Sequence, residues 1–107
     1  MKKKINELIW DIAIVATASP ELNVDGAICR GTTWFGKQLI CLSADLDPQT
    51  AKITITHELT HAFLWSTQMR LPDTFTEEEI CDFFARWGSQ IVNAAEEVYA
   101  ELYDKEG

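Results

Sequence analysis

Histidine and cysteine are scarce in this chain, and their scarcity limits the kinds of site that it can form. The 107 residues include 2 histidines, and both lie between positions 57 and 61. The 3 cysteines, Cys29, Cys41 and Cys81, are widely spaced and form no CxxC pair. An odd number of separated cysteines is typical of reduced, mostly buried thiols in the cytoplasm and argues against a disulfide framework.

Basic residues are also few, and this argues against a nucleic-acid partner. Lysine and arginine total 9 against 17 aspartates and glutamates, so the formal net charge is −8. Such a surface repels phosphate backbones, whereas a basic peptide or protein remains a suitable partner. The hydrophobic content of 47% argues against disorder, and the length predicts a single domain over residues 1–107.

Long apolar runs are missing as well. Lysines at positions 2–4 precede an apolar stretch, and the Ala-Thr-Ala sequence at residues 16–18 resembles a signal-peptidase site. However, Glu7 and Asp11 interrupt this stretch and leave only residues 12–16 as a clean apolar segment, which is too short for a signal peptide. We therefore expect a cytoplasmic protein with no transmembrane segment and no membrane partner.

The run HELTH at residues 57–61 is the most specific motif in the sequence. In a helix, residues four apart share a face, so His57 and His61 can bind one metal ion. This HExxH arrangement supplies two nitrogen ligands for zinc, and Glu58 is placed to deprotonate a zinc-bound water. The alternative interpretation is an amphipathic helix that carries two half-exposed histidines.

The remaining pattern predicts an α+β fold, in which a small three-stranded twisted sheet packs on two main helices. The predicted strands cover residues 10–16, 27–34 and 37–42, and residues 3–10 are a short helix or lead-in. Trp10, Ile12 and Ile14 are predicted to share one buried face of the first strand. We expect the strand at residues 37–42 to hold an extended peptide by edge pairing, because it directly precedes the first helix.

Two helix starts are marked by capping residues. Asp47 followed by Pro48 predicts a helix that runs to about Ser66, although residues 53–56 are β-branched and would by themselves favour a strand. A loop is predicted at residues 69–75. Thr76 and Glu79 form a capping box, so a second helix is predicted from about Glu77 nearly to the end of the chain. Its apolar residues keep helical spacing and include Ile80, Phe83, Phe84 and Ile91. A kink at Gly88 is considered.

A catalytic zinc normally has three protein ligands, so a further donor is needed. The acidic cluster Glu77-Glu78-Glu79 opens the second helix, and Asp82 lies one turn after Glu78 on the same face. We assign Glu78 to the metal and Asp82 to the free N–H of a ligand histidine. Glu77 and Glu79 are the alternatives, although both are also explained as acidic residues that stabilise a helix N-terminus.

HELTHAFL, followed by EEICDFFA at residues 78–85, resembles the ImmA/IrrE family of small gluzincin-type metallopeptidases, which are common on phages and mobile elements. The family's second helix reads approximately ExxANxFA, and its Glu is the third zinc ligand. Glu78 takes that place, Cys81 stands for the Ala and Asp82 for the Asn. The resemblance covers residues 37–88 and implies a minimal zincin-like catalytic core, a Zn²⁺ cofactor and cleavage of a repressor or another regulatory protein.

The sequence therefore predicts hydrolysis of a peptide bond in a protein or peptide substrate, with Glu58 as the general base. A second resemblance keeps Cys41 as an alternative third ligand, because Cys-Leu-Ser at residues 41–43 partly matches the peptide deformylase motif. The alternative function is a zinc-holding or catalytically idle binding module that inhibits a host factor.

Overall fold

The computed structural model describes residues 1–67 and 76–103. Its strands and helices form an α+β fold of one mixed sheet, a separate two-stranded antiparallel sheet and two long helices. The elements in chain order are β1 (Lys2–Ile5), β2 (Leu8–Val15), a 3₁₀ turn (Pro20–Leu22), β3 (Asn23–Val24), β4 (Ala27–Ile28), β5 (Gly31–Trp34), β6 (Leu39–Ser43), α1 (Pro48–Ser66) and α2 (Glu77–Tyr103). The α+β class is confirmed, but the main sheet has four strands where three were predicted.

The additional strand is β1, which lies where a short helix or lead-in was predicted. The exposure of its side chains alternates along the strand, from exposed Lys2 to buried Ile5, and the strand pairs antiparallel with β2. The two residues between the strands, Asn6 and Glu7, both have positive φ angles, of 47° and 75°. Two-residue hairpin turns normally use Asn-Gly or Asp-Gly for this conformation, and Glu7 gives no such signal in the sequence.

The strand order β1-β2-β6-β5 corrects the predicted peptide-binding edge. The strand expected to bind a peptide, residues 37–42, corresponds to β6, which lies between β2 (parallel) and β5 (antiparallel). An interior strand has no free backbone groups for edge pairing. The edge of the sheet next to β6 is formed by β5 instead.

Helix α1 confirms the predicted start and end, including its β-branched segment. Asp47 caps the helix, because its side chain accepts a 2.8 Å hydrogen bond from the backbone N–H of Thr50. Within the helix, the hydroxyls of Thr54 and Thr56 donate to the carbonyls four residues earlier, both at 2.8 Å. These bonds satisfy the threonine hydroxyls inside the helix, so residues 53–56 are accommodated in a helix although their β-branched pattern favours a strand.

Helix α2 confirms the predicted capping box. The backbone N–H of Thr76 donates to Glu79 Oε1 at 2.9 Å, and the N–H of Glu79 donates to Thr76 Oγ1 at 3.2 Å. The helix continues through Gly88 without interruption. The predicted loop at residues 69–75 lies outside the described residues. Within the described ranges, no helix has both the length and the apolar character needed to cross a membrane.

The core lies between the sheet and the two helices. Its buried side chains come from the sheet (Ile5, Trp10, Ile12, Ile40, Leu42), from α1 (Ile55, Leu59, Ala62, Phe63) and from α2 (Phe83, Ile91, Ala94, Ala95, Val98). The prediction that Ile14 is buried with Trp10 and Ile12 is wrong, because Ile14 is 38% exposed. On α2, the apolar positions Ile80 and Phe84 are 54% and 68% exposed. The core therefore covers only the first part of the β2 face and a narrower stripe of α2 than the apolar spacing indicated.

The Asp47 cap leads to a pH-dependent prediction. Hydrogen bonds from the backbone and side chain of Thr50 hold the pKa of the Asp47 carboxyl below its usual range. Because the folded-state pKa is lowered, the stabilisation is present above the usual aspartate pKa of about 3.9 and is lost as the pH falls through the folded-state value. We expect Asp47→Ala to lower the thermal midpoint at pH 7 and the difference from wild type to narrow in acid.

Circular dichroism melts between pH 7 and pH 2 measure this difference. Asp47→Asn is the matched control, because asparagine still caps the helix but cannot titrate. It should keep most of the stability at pH 7. A difference between wild type and Asp47→Ala that stays constant down to pH 2 would contradict the prediction.

Candidate active site

Helix α1 brings the two histidines together on its exposed side. The ring centroids of His57 and His61 are 4.9 Å apart, with an angle of 75° between the ring planes. Two imidazoles bound to one tetrahedral zinc, with Zn–N bonds of about 2.0–2.1 Å, have centroids roughly 5 Å apart. The prediction that residues 57–61 are helical is confirmed, and the two rings fit a shared metal ion.

The Glu58 side chain points toward the sheet, although the residue directly follows His57. Glu58 is only 5% exposed. Its Oε1 accepts a 2.7 Å hydrogen bond from the hydroxyl of Thr33 in β5, and its Oε2 lies 4.0 Å from His57 Nε2. The carboxylate is thus held at the edge of the histidine pair, where a general base is required. Sequence reasoning missed Thr33, because a threonine in a strand carries no signal of such a partner.

An aromatic group lies against the second histidine. The ring of Phe35 meets His61 edge to face, with centroids 6.3 Å apart, and packs on Trp65 at 5.0 Å. Burial lowers the pKa of the His61 imidazole; the negative charge of Glu58 opposes this shift, and His57 adds to it. The result favours the neutral imidazole, which is the form that binds a metal.

The site opens into a groove of about 450 Å³ beside the edge strand. Its walls include Val24 and Cys29 from the β3–β4 region and Thr33, Trp34 and Phe35 from β5 and the turn after it, and its floor is formed by His57, Glu58 and His61. Most of the wall is apolar, and the titratable groups of the motif are concentrated on the floor.

The predicted third ligand is not part of this arrangement. Glu78 and Asp82 are exposed in the first turns of α2, as is Glu77, while Glu79 binds Thr76 in the capping box. Within residues 1–67 and 76–103, no three His, Cys, Asp or Glu side chains converge as a metal-holding group. The described side chains therefore bring together His57, His61 and Glu58 only, and the metal and catalytic roles of these residues, like those of Glu78 and Asp82, stay predictions.

Cys41, the other candidate ligand, lies on the opposite side of the sheet. Its neighbours Ile40 and Leu42 point into the core beneath the helices, so alternation directs the Cys41 side chain away from α1. Burial raises the pKa of its thiol, and the charge of Glu21 adds to this effect. The position of Cys41, on the face of the sheet that points away from the histidines, argues against a role as ligand.

Comparison with known families supports the motif. The family model for peptidase M78, described as the IrrE N-terminal-like domain, matches residues 12–102. This match extends from β2 almost to the end of α2 and so includes both histidines and Glu58. A search of curated proteins and a search of solved structures each found no match.

The approach of β5 to α1 depends on Gly31. A Cβ added there would lie 2.7 Å from Thr54 Cγ2 and 3.1 Å from Glu58 Cγ. Thr54 cannot easily yield, because it is buried, β-branched and bonded through its hydroxyl to the Thr50 carbonyl. A side chain at position 31 must therefore push the strand away from the helix.

We expect Gly31→Ala to lower the free energy of unfolding by about 1–3 kcal/mol, the usual cost of overpacking. Urea denaturation measures this change. Gly36→Ala is the matched control, because Gly36 lies in the exposed turn after β5 and a Cβ there meets no atom within 4 Å. Equal effects of the two substitutions would contradict the close-packing explanation.

Proposed function

The chain belongs to the peptidase M78 family, with an IrrE N-terminal-like domain, and from this membership we propose that it is a zinc-dependent metallopeptidase acting on a protein substrate. The observation that carries the proposal is the group formed by His57, His61 and Glu58. The ring centroids of the two imidazoles lie 4.9 Å apart, and Oε2 of the nearly buried Glu58 carboxylate lies 4.0 Å from His57 Nε2. This combination suits metal-assisted hydrolysis of an amide bond.

Each residue has a distinct role in the proposed reaction. His57 and His61 would hold the zinc together with Glu78, and Asp82 would accept the free N–H of a ligand histidine. When bound, zinc supplies a Lewis acid that polarises the scissile carbonyl and acidifies a water molecule. Glu58 Oε2 accepts the proton of the attacking water and delivers it to the nitrogen of the leaving amine.

The substrate is proposed to bind as an extended segment along β5. This strand is at the end of the sheet order, so its outer backbone groups can pair with a peptide. The apolar side chains of Val24, Trp34 and Phe35 in the groove suit an apolar residue next to the cleaved bond. A repressor or another regulatory protein is the substrate that the resemblance to ImmA/IrrE proteins implies.

The second candidate is a zinc-holding or catalytically idle binding module that inhibits a host factor. It is favoured by one observation, namely that no third acidic ligand converges on the histidines within the described residues. The two candidates differ in whether the carboxylate of Glu58 is needed for function.

We expect Glu58→Gln to reduce peptide-bond cleavage by about 10²- to 10⁴-fold, the usual contribution of a general base, while zinc binding persists. Cleavage is measured by mass-spectrometric mapping of new N-termini after the zinc-loaded protein is incubated with a proteome extract. Zinc content is measured by atomic emission. Glu77→Gln is the control and should cleave like wild type. Equal cleavage by Glu58→Gln and wild type would contradict the peptidase assignment.

Zinc affinity tests the predicted ligand set separately. Glu78→Ala should weaken zinc binding most strongly, and Asp82→Ala should weaken it about 10- to 100-fold, as expected for a partner of a ligand histidine. Glu77→Ala and Cys41→Ser should leave the affinity unchanged. The measurement is competition with a chromogenic chelator. Loss of zinc in Cys41→Ser, with retention in Glu78→Ala, would overturn the assignment.

A further inference from the structure

The hydroxyl of Thr33 makes the main polar contact between the edge strand and the HExxH helix. Its Oγ1 lies 2.7 Å from Glu58 Oε1 and 3.3 Å from the backbone carbonyl oxygen of Glu58. A hydroxyl has one proton to donate, and the shorter contact to the charged oxygen is the stronger hydrogen bond. The hydroxyl of Thr33 is therefore committed to the carboxylate.

The position of this hydroxyl is fixed by its strand. Thr32 and Trp34, on either side of Thr33, both donate to the Glu21 carbonyl, at 2.7 Å and 2.9 Å, so alternation directs Thr33 toward α1. Thr33 also lies opposite Ile40 in the antiparallel pairing of β5 with β6. Because the strand fixes the position of Thr33, its hydroxyl can restrict the orientation of the Glu58 carboxylate.

The carboxylate of Glu58 has few alternatives to this contact. Glu58 is almost completely buried, and an ionised carboxylate in that position needs a hydrogen-bond donor. Within residues 1–67 and 76–103, no lysine or arginine forms an ion pair with it, and Thr33 provides its side-chain hydrogen bond. With Oε1 engaged, the free oxygen is Oε2, which lies beside His57 at the floor of the groove.

We propose that Thr33 is a positioning residue that holds Glu58 so that Oε2, and not Oε1, accepts the proton of the attacking water. The inference rests on the proposed peptidase function. The proton passes from the water to Oε2, the resulting hydroxide forms a bond to the carbonyl carbon, and the proton then moves to the amine nitrogen as the C–N bond breaks. Thr33 keeps its own proton and does not touch the substrate's reacting atoms.

The test compares three variants of the zinc-loaded protein. Thr33→Val removes the hydroxyl but keeps the shape of the side chain, and Thr33→Ser retains the hydroxyl. Ser43→Ala is the matched control, because it removes a buried hydroxyl from the neighbouring strand β6, where Ser43 contacts Thr17 and Asp45 and does not line the groove. Steady-state kinetics use a synthetic peptide that spans a cleavage site mapped with wild type, and zinc content and thermal midpoint are recorded for each variant.

We expect Thr33→Val to lower kcat about 10- to 100-fold, as for other residues that orient a catalytic group, with KM and zinc content unchanged. Thr33→Ser should restore kcat to within about threefold of wild type. Ser43→Ala should keep the kcat of wild type at temperatures below its own thermal midpoint, even if that midpoint falls. A purely structural role for Thr33 would instead give parallel losses in kcat and thermal midpoint that serine does not rescue.

A structural readout separates this inference from the proposed function. Crystal structures of wild type and Thr33→Val should differ in the orientation of the Glu58 carboxylate, whether or not the protein cleaves peptides. If wild type cleaves no peptide, the peptidase proposal and the proton-transfer role fail together. The part of the inference that survives is that Thr33 orients the Glu58 carboxylate, and the two crystal structures test it. An unchanged Glu58 in Thr33→Val, or equal kcat in Thr33→Val and wild type, overturns the inference.

Discussion

The close packing of β5 against α1 is the constraint on which the site depends. Gly31 lets the strand approach the helix, and two residues later Thr33 reaches the carboxylate of Glu58 at 2.7 Å. Among the described residues, β5 is the last strand of the sheet and pairs with β6 on one side, so the same strand supports Glu58 from within and forms the outer edge of the sheet. The hydrogen-bond partner of Glu58 and the outer edge of the sheet therefore belong to one element, β5.

Helix geometry explains why the histidines of the motif are exposed while its glutamate is buried. His57 and His61 are four residues apart and share the exposed face, whereas Glu58 is rotated by about 100° relative to His57 and points toward the strand. The imidazoles stay accessible to a metal ion, and the carboxylate is partly withdrawn from water. A buried carboxylate with one committed oxygen has a more restricted orientation than an exposed one, which suits a base that must act at a defined place.

Local signals accounted for the helices and failed for the sheet. The caps at Asp47 and at Thr76 with Glu79 involve residues three positions apart, and these caps predicted both helix starts. Strand β1 escaped prediction because its turn contains Glu7 at a φ of 75°, a conformation that the residue type does not suggest. The exposure of Phe84 was also not predictable, since helical spacing identifies an apolar stripe but not how much of it a partner covers.

The sequence by itself determined the helical HExxH run, with its two histidines and its glutamate, and the resemblance to a peptidase family, because each depends on residues close together in the chain. Only the tertiary structure decided that β5 is the edge strand, that Thr33 is the partner of Glu58, and that Cys41 faces away from the histidines. Those features arise from pairing between strands distant in sequence. A shift of one residue in that pairing would reverse which side chains face α1, and no local pattern specifies it.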